Sequence, residues 1–268
     1  MGSGASVRPS FKVVIPARYA SSRLPAKPLL DIGGKPMIAH VCQRAMEAHA
    51  DEVVVATDDQ RIVSVVEKLG IPVLLTATEH QSGTERIAEV AKKRRWSEED
   101  IIVNLQGDEP FISAEYICQV AYSLATQTSA NIATLATPIH TISDIFNPNI
   151  VKVVTNQQGY GLYFSRAAIP WDREQFSQIS AQFPIKTSPY LRHIGLYAYR
   201  QFFLQQYVLW EKSPLESIEC LEQLRILWHG EKIKVEIVTK APPTGIDTLE
   251  DLHRARAEFA NNDSTLNP

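Results

Sequence analysis

EVVVATDDQRIVSVVEKLGIPVLLTA, residues 52–77, carries two periodicities in one span. EVVVAT and IPVLLTA are near-continuous apolar, β-branched runs, the pattern of strands buried on both faces. Between them QRIVSVVEKLG repeats apolar residues at helical spacing and is closed by Gly70. The same alternation extends both ways. FKVVIPA (11–17) reads as a strand. PMIAHVCQRAMEAHA (36–50) reads as a helix, with Pro36 in its first turn behind Gly33-Gly34. Downstream follow a helix in GTERIAEVAKKRRW (83–96), a strand in DIIVNLQ (100–106) and a helix in SAEYICQVAYSLATQ (113–127). Strands alternating with helices predict an α/β fold, with a mostly parallel central sheet and helices on both faces. In such sheets ligands bind at the carboxyl ends of the strands.

The middle of the chain breaks the alternation. NIATLATPI (131–139), IVKVVTN (150–156), GYGLYFSR (159–166) and RHIGLYAYR (192–200) read as strands with no helices between them, and NQQGYG (156–161) as a hairpin turn. They predict a smaller mixed or antiparallel extension, about 131–212, within a single domain spanning 11–268. The polar stretch from Asp172 to Tyr190, with Pro184 and Pro189, reads as a long loop or lid. SPLESIECLEQLRILWHG (213–230) reads as one helix, opened by a capping box of Ser213 and Glu216 and ended by Gly230. A strand, EKIKVEIVT, and a last helix from about Thr248 complete the chain. The first ten residues read as a tag or a disordered end.

Composition narrows the function classes. The chain has 268 residues, with 27 Lys and Arg against 30 Asp and Glu, so it carries no overall basic field. Nucleic acid and membrane surfaces are therefore not expected as partners. Cys42, Cys118 and Cys220 are odd in number and far apart, which excludes a disulfide framework or metal pair and suits a cytoplasmic protein. All three lie in helical-looking stretches and read as apolar filler.

PARYASSRLPAKPL (16–29) places Arg18, Arg23 and Lys27 on the loop that leaves the first strand, at the ligand-binding rim. No Gly-x-Gly-x-x-Gly follows any strand and no Gly-Lys-Ser/Thr occurs, so neither a dinucleotide fingerprint nor a P-loop is present. Three cations there suit a polyanion with phosphate-like oxygens, and equally a solvated loop. IIVNLQGDEP puts Asp108 and Glu109 on the same rim, as turn acids or a divalent-metal anchor. Asp247, in TGIDTLEDL, is placed to cap the last helix with Glu250 three residues on, or to supply a second metal carboxylate. Strand alternation puts His193 and Tyr197 on one face, as a sugar-binding or a structural pair. On a continuous helix Glu222 falls within the arc of Leu215, Ile218 and Ile226, where it needs an ion-pair partner or a polyol ligand.

Taken in order, PARYASSRLPAKPL, GGKPMI, ATDD, HQSGTER, NLQGDEP, YFSRAAIPWDR, RHIGLYAYR, SPLESIECLEQLR and TGIDTLEDL closely resemble the 3-deoxy-manno-octulosonate cytidylyltransferase (CMP-KDO synthetase) family, from Phe11 to Phe259. The resemblance implies a nucleotidyltransferase-like fold, a homodimer, Mg2+, and transfer of CMP from CTP to the sugar acid KDO. It implies that Arg18, Arg23 and Lys27 hold the triphosphate, with Ser82 and Gly83 near the base. Arg18 and Lys27 would also stabilise charge at the α-phosphate, and Asp108 and Asp247 would hold the metal. Arg86, Gln106, Arg166, His193, Tyr197, Glu222 and Gln223 would surround KDO. DREQFSQISAQFPIKTSPYLRH is longer and more divergent than the family's usual loop. The alternatives are a cytidylyltransferase for a related ulosonic acid, of 8-amino-KDO or sialic-acid type, and a non-catalytic nucleotide sensor. A sensor has no need of a second metal carboxylate.

Overall fold

A computed structural model describes residues 9–20, 24–174, 176, 189–243 and 245–264. Its elements in chain order are β1 (Lys12–Ala17), β2 (Asp31–Ile32), β3 (Lys35–Pro36), α1 (Met37–Glu47), β4 (Glu52–Thr57), α2 (Gln60–Lys68), β5 (Val73–Leu75), α3 (Gly83–Arg94), β6 (Ile101–Asn104) and α4 (Ala114–Ala125). They continue with β7 (Ile132–Pro138), α5 (Ile142–Phe146), β8 (Lys152–Thr155), β9 (Gly161–Ser165), β10 (Leu191–Arg200), α6 (Gln201–Tyr207), α7 (Pro214–Glu219), α8 (Gln223–Trp228), β11 (Ile233–Ile237) and α9 (Leu249–Ser264).

The apolar run of β1 places it between β4 and β6, parallel to both. The main sheet runs β11-β7-β10-β6-β1-β4-β5, and its two faces carry separate apolar clusters under the helices. The βαβ reading of 52–77 is realised as β4, α2 and β5, with β4 and β5 parallel. The middle strands are continuous with this sheet. β10 is antiparallel to both β6 and β7, and the β8–β9 hairpin pairs onto it through β8. That reversal positions the site. Tyr197 lies opposite Asn104, the last residue of β6, so the amino-terminal half of β10 projects past the carboxyl end of β6 onto the ligand rim.

Two expectations are corrected. The segment 213–230 is two short helices. The capping box of Ser213 and Glu216 opens α7 as expected, but Cys220 takes a left-handed conformation (φ 52°) and α8 starts anew at Gln223. Ile218 is consequently 80% exposed, and the continuous apolar arc invoked around Glu222 does not exist. Of the three cysteines only Cys42 is fully buried, and Cys220 is exposed. Most of the expected 172–190 lid, and Arg23, lie outside the described residues. Among the described residues no helix is long and apolar enough to cross a membrane.

Candidate active site

Three confluent cavities open along the carboxyl rim. The first, about 340 Å³, is lined by Arg18, Lys27, Gly83, Gln106, Asp108 and Asp247. The second, about 240 Å³, shares Gly83 and Gln106 with it and adds His193, Tyr197, Glu222 and Gln223. The third, about 640 Å³, shares Asp108 and Asp247 with the first and His193 with the second, and adds Glu109, Arg166 and Arg192.

The loops that meet here are held by close backbone approach. A Cβ on Gly107 would stand 2.8 Å from the Pro16 carbonyl oxygen, so only glycine lets the β6 loop lie against the end of β1. The Ile246 amide donates to the Asp108 carbonyl at 2.9 Å, which ties the segment before α9 to the β6 loop. Through these ties the Lys27 ammonium donates to Asp108 Oδ2 at 2.7 Å and to Asp247 Oδ1 at 2.8 Å. Burial works against the ammonium charge, but the two carboxylates outweigh it and the Lys27 pKa is raised.

Asp247 does not cap α9 in the way its sequence pattern with Glu250 suggests. Thr248 Oγ1 accepts from the Asp251 amide at 3.1 Å, while Asp251 Oδ2 accepts from the amides of Asp247 (3.1 Å) and Thr248 (2.9 Å). Thr248 and Asp251 thus perform the capping, and the Asp247 side chain is directed to Lys27. Neighbouring Glu109 has its pKa pushed up to about 8, by burial first and then by Asp108, with Arg192 opposing.

The second cavity is lined by neutral hydrogen-bonding groups around one carboxylate. β10 carries a bulge between Ile194 and Tyr197. It inserts two residues relative to β7, so the parity of the strand survives and the His193 and Tyr197 rings remain together, centroids 5.3 Å apart. Burial pushes the His193 pKa down to about 3, and its Nε2 lies 3.1 Å from Thr134 Oγ1. Glu222 accepts from Thr84 Oγ1 at 3.0 Å. Its carboxylate opens to the cleft, yet the protein packed around it raises its pKa, with the Thr84 hydrogen bond opposing. The ion pair considered for Glu222 belongs to Glu216, whose two oxygens receive Arg225 at 2.6 and 2.7 Å, out of solvent. Among the described residues the buried Gln223 Nε2 has no hydrogen-bond partner and the Tyr197 hydroxyl has only a weak contact with Thr134, and both residues line the cavity.

The remaining expected residues divide. Arg18, Gly83 and Gln106 are on the cavity walls. Ser82 caps α3, accepting from the Glu85 amide at 3.2 Å. Arg166 lines the third cavity, with Nε donating to the Glu219 carbonyl at 2.8 Å and Nη1 to Pro148 at 3.1 Å. Arg86 is not brought to the cleft. It is shielded from solvent, 2.7 Å from Asp58, and bonds Thr76 and the Ala77 carbonyl. Its place is to tie the loops after β4 and β5 to α3. Sequence reading missed Thr84, Tyr199 and Tyr207 in the second cavity, and Arg192 in the third. Arg192 lies in the quoted RHIGLYAYR run, and only the antiparallel direction of β10 tells which of its residues reach the rim.

A doubly covered α/β sheet, with cations and two acids converging at its carboxyl rim, defines a nucleotidyltransferase. The cytidylyltransferase family model matches residues 12–233. The chain is 61% identical over 247 residues to the 3-deoxy-manno-octulosonate cytidylyltransferase of Idiomarina loihiensis, covering 92% of this chain and 97% of that one. It is 58% identical over 250 residues to that of Methylococcus capsulatus, covering 93% and 97%. The solved structure of a CMP:2-keto-3-deoxy-manno-octonic acid synthetase complexed with CTP superposes with a TM-score of 0.85 at 42% identity, covering 94% of this chain and all (100%) of that one. A 4-diphosphocytidyl-2C-methyl-D-erythritol synthase from Anaerococcus prevotii, at 14% identity, 94% and 99% coverage and a TM-score of 0.57, shares the fold alone. The chain belongs to the cytidylyltransferase family and, within it, to the 3-deoxy-manno-octulosonate cytidylyltransferases.

Proposed function

We infer that this chain transfers CMP from CTP to KDO, releasing pyrophosphate and forming CMP-KDO for lipopolysaccharide. The observation that carries the reading is the Lys27 bridge between Asp108 and Asp247, in the first cavity where it meets the third. Arg18 and Lys27 bind the triphosphate and spread the charge that develops as pyrophosphate leaves; a fixed cation there needs no reorganisation during reaction. Arg23 is assigned to the same role by resemblance. The amino terminus of α3, at Gly83, adds the positive end of a helix dipole, with Ser82 fixing its first turn. Gln106, His193, Tyr197, Glu222 and Gln223 orient the sugar so that its anomeric hydroxyl faces the α-phosphate.

Asp108 and Asp247 fit Mg2+. They are an all-oxygen pair already organised around a cation, the Lys27 ammonium, and magnesium takes one or two carboxylates together with phosphate oxygens and water. Bound there, Mg2+ would neutralise phosphate charge. The enzyme acts as a homodimer in the cytoplasm, where CTP is made. Support for the dimer comes from the exposed apolar Leu162 (60%), Trp171 (62%) and Leu209 (82%) in the 131–212 region.

Pyrophosphate release with CTP, Mg2+ and a panel of KDO, 8-amino-KDO and sialic acid tests the reading. KDO is expected to be the preferred acceptor. Preference for either other acid by tenfold or more in kcat/KM would reassign the substrate, and no release with any of them would remove the activity.

A further inference from the structure

The cleft contains an asymmetry of charge. The second cavity has no lysine or arginine among its lining residues, while the third holds Arg166, Arg192 and Arg254. Two of those three are engaged. The Arg166 guanidinium donates to the carbonyls of Glu219 and Pro148, and Arg254 Nη2 lies 2.6 Å from Asp251 Oδ1. The guanidinium of Arg192, half-buried on β10 between its pairing partners Thr137 on β7 and Lys152 on β8, makes no hydrogen bond or ion pair with any described residue and acts on the Glu109 carboxyl only from beyond ion-pair distance. A half-buried guanidinium with five donors and no acceptor is costly unless a ligand supplies one.

The chemistry of the acceptor says where its charge must go. In a 2-keto sugar acid the anomeric carbon bears both the attacking hydroxyl and the carboxylate. Whatever brings that hydroxyl to the α-phosphate, beside Asp108 and Asp247, brings the carboxylate to the same place. The carboxylate therefore needs a cation in one of the two cavities that contain Asp108 and Asp247, and the first, with Arg18 and Lys27, is assigned to the triphosphate. Lys27 is paired with those two acids and assigned to the triphosphate, and Arg86, one of the two arginines that the resemblance places around KDO, is shielded from solvent beside Asp58. The hydroxylated tail then extends into the second cavity. There, among the described residues, the Gln223 amide nitrogen lacks a partner, the Tyr197 hydroxyl has only a weak contact with Thr134, and Glu222 accepts.

We propose that Arg192 is the residue that receives the carboxylate of the acceptor sugar acid, fixing its orientation with the acidic end in the third cavity and the polyol tail in the second. This rests on the KDO-transferring reading above. Arginine suits the task because its planar fork meets both carboxylate oxygens, which a lysine cannot do. Arg192 also discriminates against sugars that lack a carboxylate, since they leave its charge uncompensated.

The test compares wild type with Arg192→Gln and Arg192→Lys in the pyrophosphate assay, using KDO and its uncharged C1 carboxamide as acceptors. Arg192→Gln is expected to raise the KDO KM at least tenfold with the CTP KM unchanged, and to narrow the preference for KDO over the carboxamide by a similar factor. Arg192→Lys should recover part of both. An unaltered KDO KM and an unaltered preference in Arg192→Gln would overturn the assignment. So would equal losses towards CTP and KDO in Arg192→Lys, the variant that keeps the charge and tests the site if the glutamine protein melts low. Wild-type turnover with KDO in the same assay separates the two readings. Its absence sinks the parent function and this orientation together, whereas turnover with an indifferent Arg192 sinks the orientation alone.

Discussion

The Lys27 ammonium and the Asp247 carboxylate, 220 positions apart in the chain, stand 2.8 Å from each other. The contact joins the loop after β1 to the segment that leads into the last helix. It also places Asp247 beside Asp108, as the proposed magnesium site requires, and at the start of α9 the amides are capped by Thr248 and Asp251.

Asp247→Asn is therefore expected to leave the melting temperature nearly unchanged while turnover falls at least tenfold. Asp251→Ala is the opposite case. Its carboxylate accepts from two amides and the Thr248 hydroxyl, so losing it should cost about 0.5–2 kcal/mol of stability, the range of a lost cap. Thermal melts and pyrophosphate kinetics on both variants check this. Loss of stability without loss of turnover in Asp247→Asn would return it to a capping role.

Burial holds His193 at a pKa of about 3, against about 6.5 in the unfolded chain. A histidine depressed in this way contributes stability that is present above 6.5 and is lost as pH falls towards 3, because the unfolded chain takes up the proton first. His193→Gln should flatten that acid limb, moderately, since the ring opens partly onto the cleft. The imidazole is also neutral throughout the usual assay range, so the KDO KM should show no inflection near pH 6.5. Urea midpoints from pH 3.5 to 7, and a KM profile, measure both. An inflection near 6.5 that disappears in His193→Gln would refute the neutral assignment.

Lys152 is wholly buried, and its ammonium donates to the carbonyls of Asn147 (2.9 Å), Ile150 (2.6 Å) and Arg166 (2.6 Å). It fixes the backbone of the residue that carries one wall of the third cavity. Lys152→Met keeps most of the stem and leaves the carbonyls without a donor, at about 1–3 kcal/mol for each group that stays buried and unpaired. The expected result is a lower melting temperature together with a KDO KM raised more than the CTP KM. Equal effects on both substrates would mean that the ammonium supports the fold alone.

The parallel half of the sheet could be read from the sequence because each strand is a self-contained apolar run and each helix has its own period and stop. What could not be read depends on longer-range or unmarked geometry. The left-handed Cys220 that divides 213–230 has no glycine or asparagine to announce it, so in the sequence the helical period runs straight through. α6 is only seven residues (Gln201–Tyr207) directly behind β10 and was not foreseen. The direction of β10 is set by pairing with β6 and β7, not by its own residues, and it decides that Arg192 and His193 reach the rim. Among the site residues, those on loops after parallel strands, Arg18, Lys27 and Asp108, were legible from position alone. Arg86, placed around the sugar by resemblance alone, is turned to Asp58, and nothing in its own helical period announces that partner.

Glu216 and Glu222 lie six residues apart in one quoted motif, and the structure separates their roles. Glu216 is buried, closes the capping box of α7 and holds Arg225 through both oxygens. Removing its charge leaves a buried guanidinium unpaired, so Glu216→Gln should destabilise the protein by about 3–5 kcal/mol. Glu222 has no such partner among the described residues; it faces the second cavity and its carboxylate accepts from Thr84. Glu222→Gln keeps an oxygen for Thr84, so the fold should hold and CTP binding, measured by calorimetry without sugar, should be unchanged. The carboxylate's hydrogen bonds to sugar hydroxyls would be weakened in a desolvated site, and kcat/KM for KDO should fall at least tenfold, about 1.4 kcal/mol of transition-state binding. A Glu222→Gln protein with intact KDO kinetics would move the polyol tail out of this cavity. A Glu216→Gln protein that melts like wild type would show that Arg225 finds another acceptor, and that the pair contributes little to holding α7 against α8.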